Sequence, residues 1–235
     1  MSPPRALFFD VFGTCVDWRS GVARDVAAMA ARHGASVDAH AIADAWRAEY
    51  QPQMQTVRDG SRPWVTLDVL HRESLDGVLA GTALAGIPAA DRDALTRAWH
   101  RLDPWPDTVA GLARMKARAV IAPHSNGHIA LLLNMAKRAG LPWDVILGSE
   151  TARAYKPLPE SYLRNVAAIG LAPHEVMMVA AHNDDLAAAA ACGLRTAFVP
   201  RPAEHGPGQM TDLDPAGDYD LVAGDLVHLA ELVER

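Results

Sequence analysis

The chain has 235 residues, of which 50% are hydrophobic and 21% are charged, as is typical of a soluble globular protein with a sizeable core. Its net charge of -6 and the lack of a Lys/Arg-rich run argue against a nucleic-acid partner, and no apolar stretch is long enough to cross a bilayer. The sequence begins without a signal-peptide pattern, and Cys15 and Cys192 show no metal-ligand spacing, so we expect a cytoplasmic protein with reduced thiols.

Short and continuously apolar runs predict the strands of a parallel sheet that is buried on both faces. These runs are Ala6–Phe9, Ala119–Ala122, Val145–Leu147, Val176–Ala180, Thr196–Val199 and Leu221–Val222. Helical patterns alternate with them at Thr108–Met115, Ile129–Ala139, Glu160–Ile169 and Leu186–Ala191. The alternation predicts an α/β fold with a doubly wound, Rossmann-like parallel sheet.

One long region interrupts this alternation. From about Ser20 to His100 the sequence has helical periodicity and no strand pattern, so we predict a helical cap domain inserted after the first strand. The Pro-rich segment Leu102–Asp107 is the predicted return linker. The predicted core domain therefore comprises residues 1–14 and 103–235, and the cap domain comprises residues 15–102. Arg201–Asp220, rich in Pro and Gly, is predicted to be a long loop.

Four clusters of polar residues follow four of the predicted strands. In chain order they are Asp10 with Thr14, Ser125 with Asn126, Lys156, and His182 with Asp184 and Asp185. Each cluster alone also fits a structural role as a turn, a helix N-cap, a solvated loop or a favourable charge at a helix N-terminus. Because ligands of open parallel sheets bind outside the carboxyl ends of the strands, the four together predict one functional site.

The order of these motifs resembles that of the haloacid dehalogenase superfamily. The chain has "DVFGT" from Asp10, "SNG" from Ser125, "KP" from Lys156 with Tyr162 following, and a late acidic pair. The helical region is inserted after the first motif, as in that superfamily. The resemblance covers nearly the whole chain and implies a core with a helical cap.

Phe12 separates two activities within this superfamily. Most members are phosphatases and carry a second Asp two positions after the nucleophile, where this chain has Phe12. A phosphatase needs a general acid to protonate its leaving alkoxide, and phenylalanine has no proton to give. A halide leaves as a stable anion, so Phe12 favours carbon–halogen chemistry. The turn is similar to that of the type II (S)-2-haloacid dehalogenases.

The resemblance implies that Asp10 attacks the halogen-bearing carbon and forms an ester, which water hydrolyses to a 2-hydroxy acid, with no cofactor and no metal. It implies four catalytic residues, namely Asp10, Lys156, Asp185 and Arg47. Lys156 would keep Asp10 ionised, Arg47 would receive the halide, and Asp185, with Asp184 as its competitor, would activate water. The implied substrate-binding residues are Val11, Phe12, Thr14, Trp46, Tyr50, Ser125, Asn126, Tyr162 and His182. The family also suggests a homodimer acting on a small 2-haloacid.

The chain departs from the type II pattern at Ala180, Ala181 and His182, where those enzymes commonly have Ser-Ser-Asn. His182 could position water, shape the halide pocket or only fill space. The departure bears on substrate range, including fluorinated acids, more than on reaction type. The other histidines, His124 and His128 among them, show no metal-site pattern.

Two alternatives stand beside this interpretation. One is a Mg²⁺-dependent phosphatase in which Asp10, Asp184 and Asp185 supply oxygen ligands. Phe12 argues against it. The other is a catalytically silent binding protein with the same fold. The joint presence of Asp10, Lys156 and Asp185 argues against that second alternative.

Overall fold

The computed structural model describes residues 3–234 and is built around a parallel sheet. Its strands are β1 (Ala6–Phe9), β2 (Val16–Asp17), β3 (Asp103–Pro104), β4 (Val120–Ser125), β5 (Leu147–Gly148), β6 (Val176–Ala180), β7 (Arg195–Phe198) and β8 (Leu221–Val222). Six of them form one sheet in the order β5-β4-β1-β6-β7-β8, and every pairing in it is parallel. β2 and β3 form a separate antiparallel pair. The predicted α/β fold is confirmed.

Helices flank the sheet, and five consecutive helices lie between β2 and β3. Those five are α1 (Trp18–Arg32), α2 (Ala39–Ala48), α3 (Tyr50–Arg58), α4 (Leu67–Leu79) and α5 (Ala89–Thr96), which a 3-10 turn at Arg97–His100 extends. The others are α6 (Thr108–Lys116), α7 (Ile129–Ala139), α8 (Ser149–Ala152), α9 (Pro159–Ala168), α10 (Asn183–Ala191) and α11 (Leu226–Val233), with a second 3-10 turn at Pro173–Glu175. None of these helices is both long and apolar enough to span a membrane.

The strand predictions for β1, β6 and β8 agree with the structure, and β4 differs most from its prediction. β4 runs to Ser125, although the predicted strand ends at Ala122. The predicted apolar run stops just before Pro123, and proline has no N–H for a strand ladder. Pairing with β5 begins only at His124. Pro123 therefore has no partner in β5, and the N–H that it lacks costs no hydrogen bond to that strand.

The chain leaves and re-enters the sheet layer through the β2–β3 pair. Val16 pairs with Pro104 and Asp17 with Asp103, inside the segment predicted to be the return linker. Trp105 Nε1 then donates to the carbonyl of Gly13 at 2.7 Å. These bonds hold the turn after β1 against the base of the helical segment α1–α5.

β1 lies in the middle of the sheet and is buried on both faces. Leu7 and Phe9 belong to one apolar cluster, whereas Ala6 and Phe8 belong to another on the opposite face. This arrangement explains the uninterrupted apolar run, because neither face of the strand meets water. Since the sheet is parallel, the carboxyl ends of β1, β4 and β6 meet at one edge, where the predicted polar clusters follow them.

Candidate active site

Asp10 lies directly after β1. It is buried, and its N–H and both of its carboxylate oxygens have hydrogen-bond partners. Its N–H donates to the carbonyl of Val179, and its side chain is only 8% exposed. Thr14 Oγ1 donates to Asp10 Oδ2 at 2.8 Å and accepts from the Ala181 N–H at 2.9 Å. Lys156 Nζ lies 2.8 Å from Asp10 Oδ1. The burial of the carboxylate is therefore offset by donors and by a cation.

On one side of Asp10, Lys156 bridges two carboxylates. Its ammonium contacts Asp10 Oδ1 and also Asp185 Oδ2, while Tyr162 donates its hydroxyl proton to Asp185 Oδ1 at 2.6 Å. The Lys156 N–H donates to Asn126 Oδ1 at 2.8 Å, so the "SNG" turn fixes the lysine segment. Burial lowers the pKa of Lys156, but the two carboxylates more than offset this effect and raise it, so the side chain remains a cation.

On the other side of Asp10, His182 connects the carboxylate to a buried acid that the sequence analysis missed. His182 Nδ1 lies 3.2 Å from Asp10 Oδ2, and its Nε2 lies 2.9 Å from Glu204 Oε2. Glu204 is 1% exposed and also accepts from Trp18 Nε1 at 2.9 Å. Burial lowers the pKa of His182, whereas Glu204 and Asp10 raise it to well above 6.5. The imidazole is therefore cationic beside ionised Asp10.

Gly13 allows Glu204 to approach this turn. Its φ of +90° lies in the region that favours glycine, and a Cβ there would lie 2.1 Å from Glu204 Oε1. The loop that carries Glu204 is fixed by Arg201, whose Nε donates to the carbonyl of Thr14 and whose guanidinium pairs with Asp107. Residues 201–220 contain neither helix nor strand, as predicted.

The protonation states of the centre follow from these contacts. Burial raises the pKa of Asp10, but Lys156 and His182 lower it by more, so the net pKa lies well below the ordinary value. Burial raises the pKa of Asp185, and Lys156 lowers it. Asp10 raises it again, because its negative charge repels a second one nearby, and the net pKa lies above the ordinary value. Asp10 is thus the ionised nucleophile candidate of the pair.

A cavity of about 720 Å³ opens above Asp10, and three parts of the chain line it. The sheet edge contributes Asp10, Phe12, Asn126, Lys156, Pro157, Tyr162 and residues 182–185. The helical segment contributes Arg47, Tyr50, Gln51 and Arg58, and the 201–220 loop contributes Thr211, Asp212 and Ala216. The volume is within the range of small-molecule sites.

Arg47 is one of the residues that line this cavity. Its Nη1 is buried and has no hydrogen-bond partner among the described residues. The guanidinium carbon lies 4.1 Å from the ring centroid of Tyr50 and 5.2 Å from that of Trp18, within the range of cation–π contacts. Phe12 packs edge-on against Tyr50 at 6.2 Å. A cationic donor held by aromatic rings is suited to a small anion.

Four of the predicted substrate-binding residues do not line the cavity. Trp46 is fully buried in the helical segment, where its Nε1 donates to the carbonyl of His71 and to Ser74, so it supports the pocket from behind and does not form its wall. Ser125 accepts from the Gly127 N–H and shapes the turn. Thr14 orients Asp10, and Val11 is buried with its carbonyl bonded to the N–H groups of residues 15 and 16. The other predicted site residues meet around the cavity.

Sequence reasoning missed Glu204 and Arg58. Glu204 lies in a loop whose Pro/Gly composition gave no reason to single out one acid. Arg58 ends α3, where it looks like any basic residue that complements a helix C-terminus, yet its Nε is buried without a partner in the described part of the chain. Only the tertiary fold shows that Glu204 contacts His182 and that Arg58 lines the cavity.

Several known proteins are similar to this chain in sequence and in fold. The model of the haloacid dehalogenase-like hydrolase family matches residues 4–193. A solved structure of a defluorinating L-2-haloacid dehalogenase is 54% identical, with a TM-score of 0.96 over 99% of this chain and 96% of that chain. A solved structure of another L-2-haloacid dehalogenase is 45% identical, with a TM-score of 0.94 over 98% of this chain and 99% of that one. The (S)-2-haloacid dehalogenase 1 of Pseudomonas sp. (strain CBS-3) is 27% identical over 205 residues, which are 86% of each chain. With most of its length matched, this chain belongs to the haloacid dehalogenase-like hydrolase family.

Proposed function

We propose that this protein hydrolyses short-chain (S)-2-haloacids to 2-hydroxy acids through an ester on Asp10. One observation carries the proposal: an ionised, buried Asp10 shares its cavity with the free donor of Arg47, while Phe12 stands where a phosphatase has its general acid. The enzyme is a hydrolase acting on carbon–halide bonds.

In the first step, a carboxylate oxygen of Asp10 attacks the α-carbon, the carbon–halogen bond breaks, and the halide leaves with its electron pair. Lys156 keeps Asp10 ionised, and Thr14 fixes the orientation of its carboxylate. The halide needs no proton, only a positive donor, which Arg47 supplies. Phe12 and Tyr50 bound the space beside Arg47 and limit the water that reaches the departing anion.

In the second step, water gives one proton to a base and attacks the ester carbonyl of Asp10. The acyl–oxygen bond then breaks, the departing alkoxide takes the remaining water proton from the new carboxyl group, and the 2-hydroxy acid leaves while Asp10 is ionised again. Esterification removes the negative charge of Asp10 and with it one of the causes that raise the pKa of His182. His182 then releases its Nδ1 proton to solvent more readily, and the freed Nδ1, the nitrogen that faces Asp10, can take a proton from the attacking water. Glu204 holds Nε2 and fixes the tautomer.

The contacts of Asp185 argue against the predicted role of this residue in activating water. Its Oδ2 meets Lys156 and its Oδ1 accepts from Tyr162, so each oxygen already accepts from a donor, whereas His182 Nδ1 directly faces Asp10. Asp184, the alternative, uses Oδ1 to accept the N–H of Asp185 and is exposed. We therefore assign the water-activating role to His182 with Glu204, and a positioning role to Asp185.

The same contacts disfavour a Mg²⁺-dependent phosphatase. A hard cation needs open carboxylate oxygens. Those of Asp10 already meet Lys156, Thr14 and His182, and those of Asp185 are used as well. A silent binding protein would have no need for an Asp10 held ionised at the base of a cavity.

Fluorinated acids are a candidate extension of the substrate range. The 54% identical relative is described as defluorinating. Fluoride is the smallest halide and the strongest hydrogen-bond acceptor among them, so it gains most from a charged, desolvated donor such as Arg47. We expect fluoride release from a 2-fluoroacid, slower than chloride release because the carbon–fluorine bond is stronger.

The domain boundaries, the cellular location and the oligomeric state are further proposals. We propose a core of residues 1–14 and 103–235 and a cap of residues 15–102, supported by the β2–β3 pair at both boundaries. We propose a cytoplasmic location, supported by two free cysteines. We propose a homodimer on the family resemblance alone. Light scattering on the purified protein tests the last of these.

The deciding experiment is halide release from (S)-2-chloropropionate with EDTA present. The wild type and an Asp218→Asn control, altered at an exposed acid outside the cavity, should release chloride, and Asp10→Asn should not. Hydrolysis of p-nitrophenyl phosphate only after addition of Mg²⁺, without chloride release, would show that the phosphatase alternative is correct.

A further inference from the structure

Three metal-ligating side chains that are distant in the sequence meet outside the cavity of Asp10. Asp68 lies in the first turn of α4, His100 ends the 3-10 turn after α5, and His128 directly precedes α7. One ligand atom from each lies within 4.8 Å of the other two. None of the three lines the cavity, and the proposed reaction does not use them.

The distances among these atoms suit a small cation. His100 Nε2 lies 2.8 Å from Asp68 Oδ1, and His128 Nε2 lies 3.6 Å from Asp68 Oδ2. A tetrahedral zinc ion with bonds near 2.0–2.1 Å holds neighbouring ligand atoms about 3.4 Å apart. The two separations involve different oxygens of Asp68 and lie on either side of that value, so side-chain rotations would bring one oxygen and both imidazole nitrogens around an ion.

The surroundings of the two imidazoles point the same way. The side chains of His100 and His128 are 3% and 6% exposed. The Asn134 amide nitrogen Nδ2 lies 2.9 Å from His100 Nδ1. Turning this amide over places its oxygen there to accept the Nδ1 proton, which leaves Nε2 unprotonated for an ion, as a supporting residue does for a ligating histidine. His128 Nε2 is too far from Asp68 for a hydrogen bond, and its Nδ1 is buried without a partner in the part of the chain described.

Arg97 shows that this position attracts positive charge, and it is the competitor of an ion. Its Nη1 lies 2.7 Å from Asp68 Oδ2 and 3.2 Å from His100 Nε2. The Arg97 side chain is 52% exposed, so it can rotate into solvent and leave the carboxylate to a cation. Ion binding therefore exchanges one counter-charge for another.

We propose that Asp68, His100 and His128 form a site for a zinc-class divalent ion. Two imidazole nitrogens and one carboxylate oxygen favour zinc or cobalt over magnesium or calcium, which prefer oxygen ligands alone. Three protein ligands leave a fourth position for water. Asp68 and His100 belong to the helical segment, whereas His128 follows β4, so the ion joins the helices to the sheet edge.

The test is a titration of EDTA-stripped, full-length protein with Co²⁺, followed by its visible absorption, and with Zn²⁺, followed by calorimetry. The wild type should bind one ion per chain, and Mg²⁺ should not compete. His128→Gln should weaken binding about tenfold or more, because it removes a ligand. His174→Gln, which removes an exposed histidine elsewhere, should bind as the wild type does.

Arg97→Gln keeps all three ligands and removes the competing cation, so it should tighten zinc binding and raise the thermal midpoint at a given zinc concentration. This variant keeps the test decisive if His128→Gln folds poorly. Lack of stoichiometric binding by both the wild type and Arg97→Gln would overturn the proposal. Equal zinc affinity in the wild type, His128→Gln and Arg97→Gln would overturn it too.

Discussion

The two sides of Asp10 are built differently. On the lysine side, which consists of Lys156, Asp185 and Tyr162, both neighbours of Asp185 are hydrogen-bond donors, and the lysine is a permanent cation because its pKa is raised. On the histidine side, which consists of His182 and Glu204, the group beside Asp10 can gain and lose a proton. The lysine side therefore has a fixed charge and the histidine side a variable one.

This difference assigns the two chemical steps to different sides. Nucleophilic attack requires Asp10 to be ionised throughout, which a fixed cation ensures. Ester hydrolysis requires a base that appears once Asp10 has been esterified, which a histidine ensures because its pKa depends on that charge. Variants on the two sides should consequently fail at different steps, and the four predictions that follow test this division.

The largest effect is expected on the lysine side. Lys156→Met removes the cation between Asp10 and Asp185, so the pKa of both carboxyls rises and the nucleophile is lost. We expect kcat to fall about 10³- to 10⁴-fold, with no burst of halide in rapid-quench measurements. Leaving a buried carboxylate pair without its cation should also cost about 3–5 kcal/mol of the free energy of unfolding.

Lys137→Met, at an exposed position on α7, is the matched control and should keep both activity and stability. A full halide burst in Lys156→Met would contradict the assignment, since it would mean that attack proceeds without the lysine.

The next effect is expected on the histidine side and at the other step. His182→Gln keeps a polar side chain beside Asp10 but removes the base. We expect kcat to fall about 10²- to 10³-fold while one equivalent of halide per active site is still released in a burst. Mass spectrometry of the quenched variant should find the ester on the peptide that contains Asp10.

His174→Gln provides the control, because it removes an exposed histidine without touching the cavity. If His182→Gln also lost the burst of halide, His182 would be needed for the first step as well. The lysine side and the histidine side would then not act on separate steps.

A smaller effect is expected one contact further out, at Glu204. Glu204→Gln removes a carboxylate that raises the pKa of His182, so this pKa falls. The acidic limb of the kcat profile, where His182 becomes protonated, should move to lower pH. The plateau should fall about 10- to 10²-fold, since a less basic imidazole that has lost its charged partner abstracts a proton more slowly.

Glu231→Gln, which changes an exposed acid on α11, should leave the pH profile in place. A limb that moves to higher pH, or does not move, would show that Glu204 does not act through His182.

The two sides also differ in how far the sequence predicts them. Asp10, Lys156 and Asp185 follow strands whose apolar runs mark their own ends, so the topology of a parallel sheet was enough to bring them together. Glu204 belongs to a loop, and only the salt bridge of Arg201 with Asp107 and the space left by Gly13 bring it to His182. Contacts of this kind leave no periodic signal in the chain.

The fold shows the same limit on a smaller scale. β1 and β6 were predicted to the residue because both faces of each strand are buried. α10 begins at Asn183, earlier than the predicted Leu186, because its first turn carries Asp184 and Asp185 and has no apolar residue to mark it. Whether Trp46 reaches the substrate depends on which face of α2 meets the cavity, and the sequence alone does not show this.

The smallest effect is expected at Tyr162, the outer member of the lysine side. Tyr162→Phe removes one hydrogen bond to Asp185, but Lys156 still contacts both carboxylates. We expect a loss of less than about tenfold in kcat and about 1–2 kcal/mol in the free energy of unfolding, since the buried Asp185 oxygen loses a partner. The acidic limb of the pH profile of kcat should not move, because Glu204, the carboxylate that contacts His182, keeps its charge in this variant.

Tyr155→Phe separates stability from chemistry. It removes another buried hydroxyl, which donates to the carbonyl of Val65 at 2.7 Å, so it should destabilise the fold to a similar degree without a matching loss of kcat. If Tyr162→Phe instead moved the acidic limb as far as Glu204→Gln does, the charge that controls the second step would lie on both sides of Asp10. The fixed and the variable side would then be one coupled network.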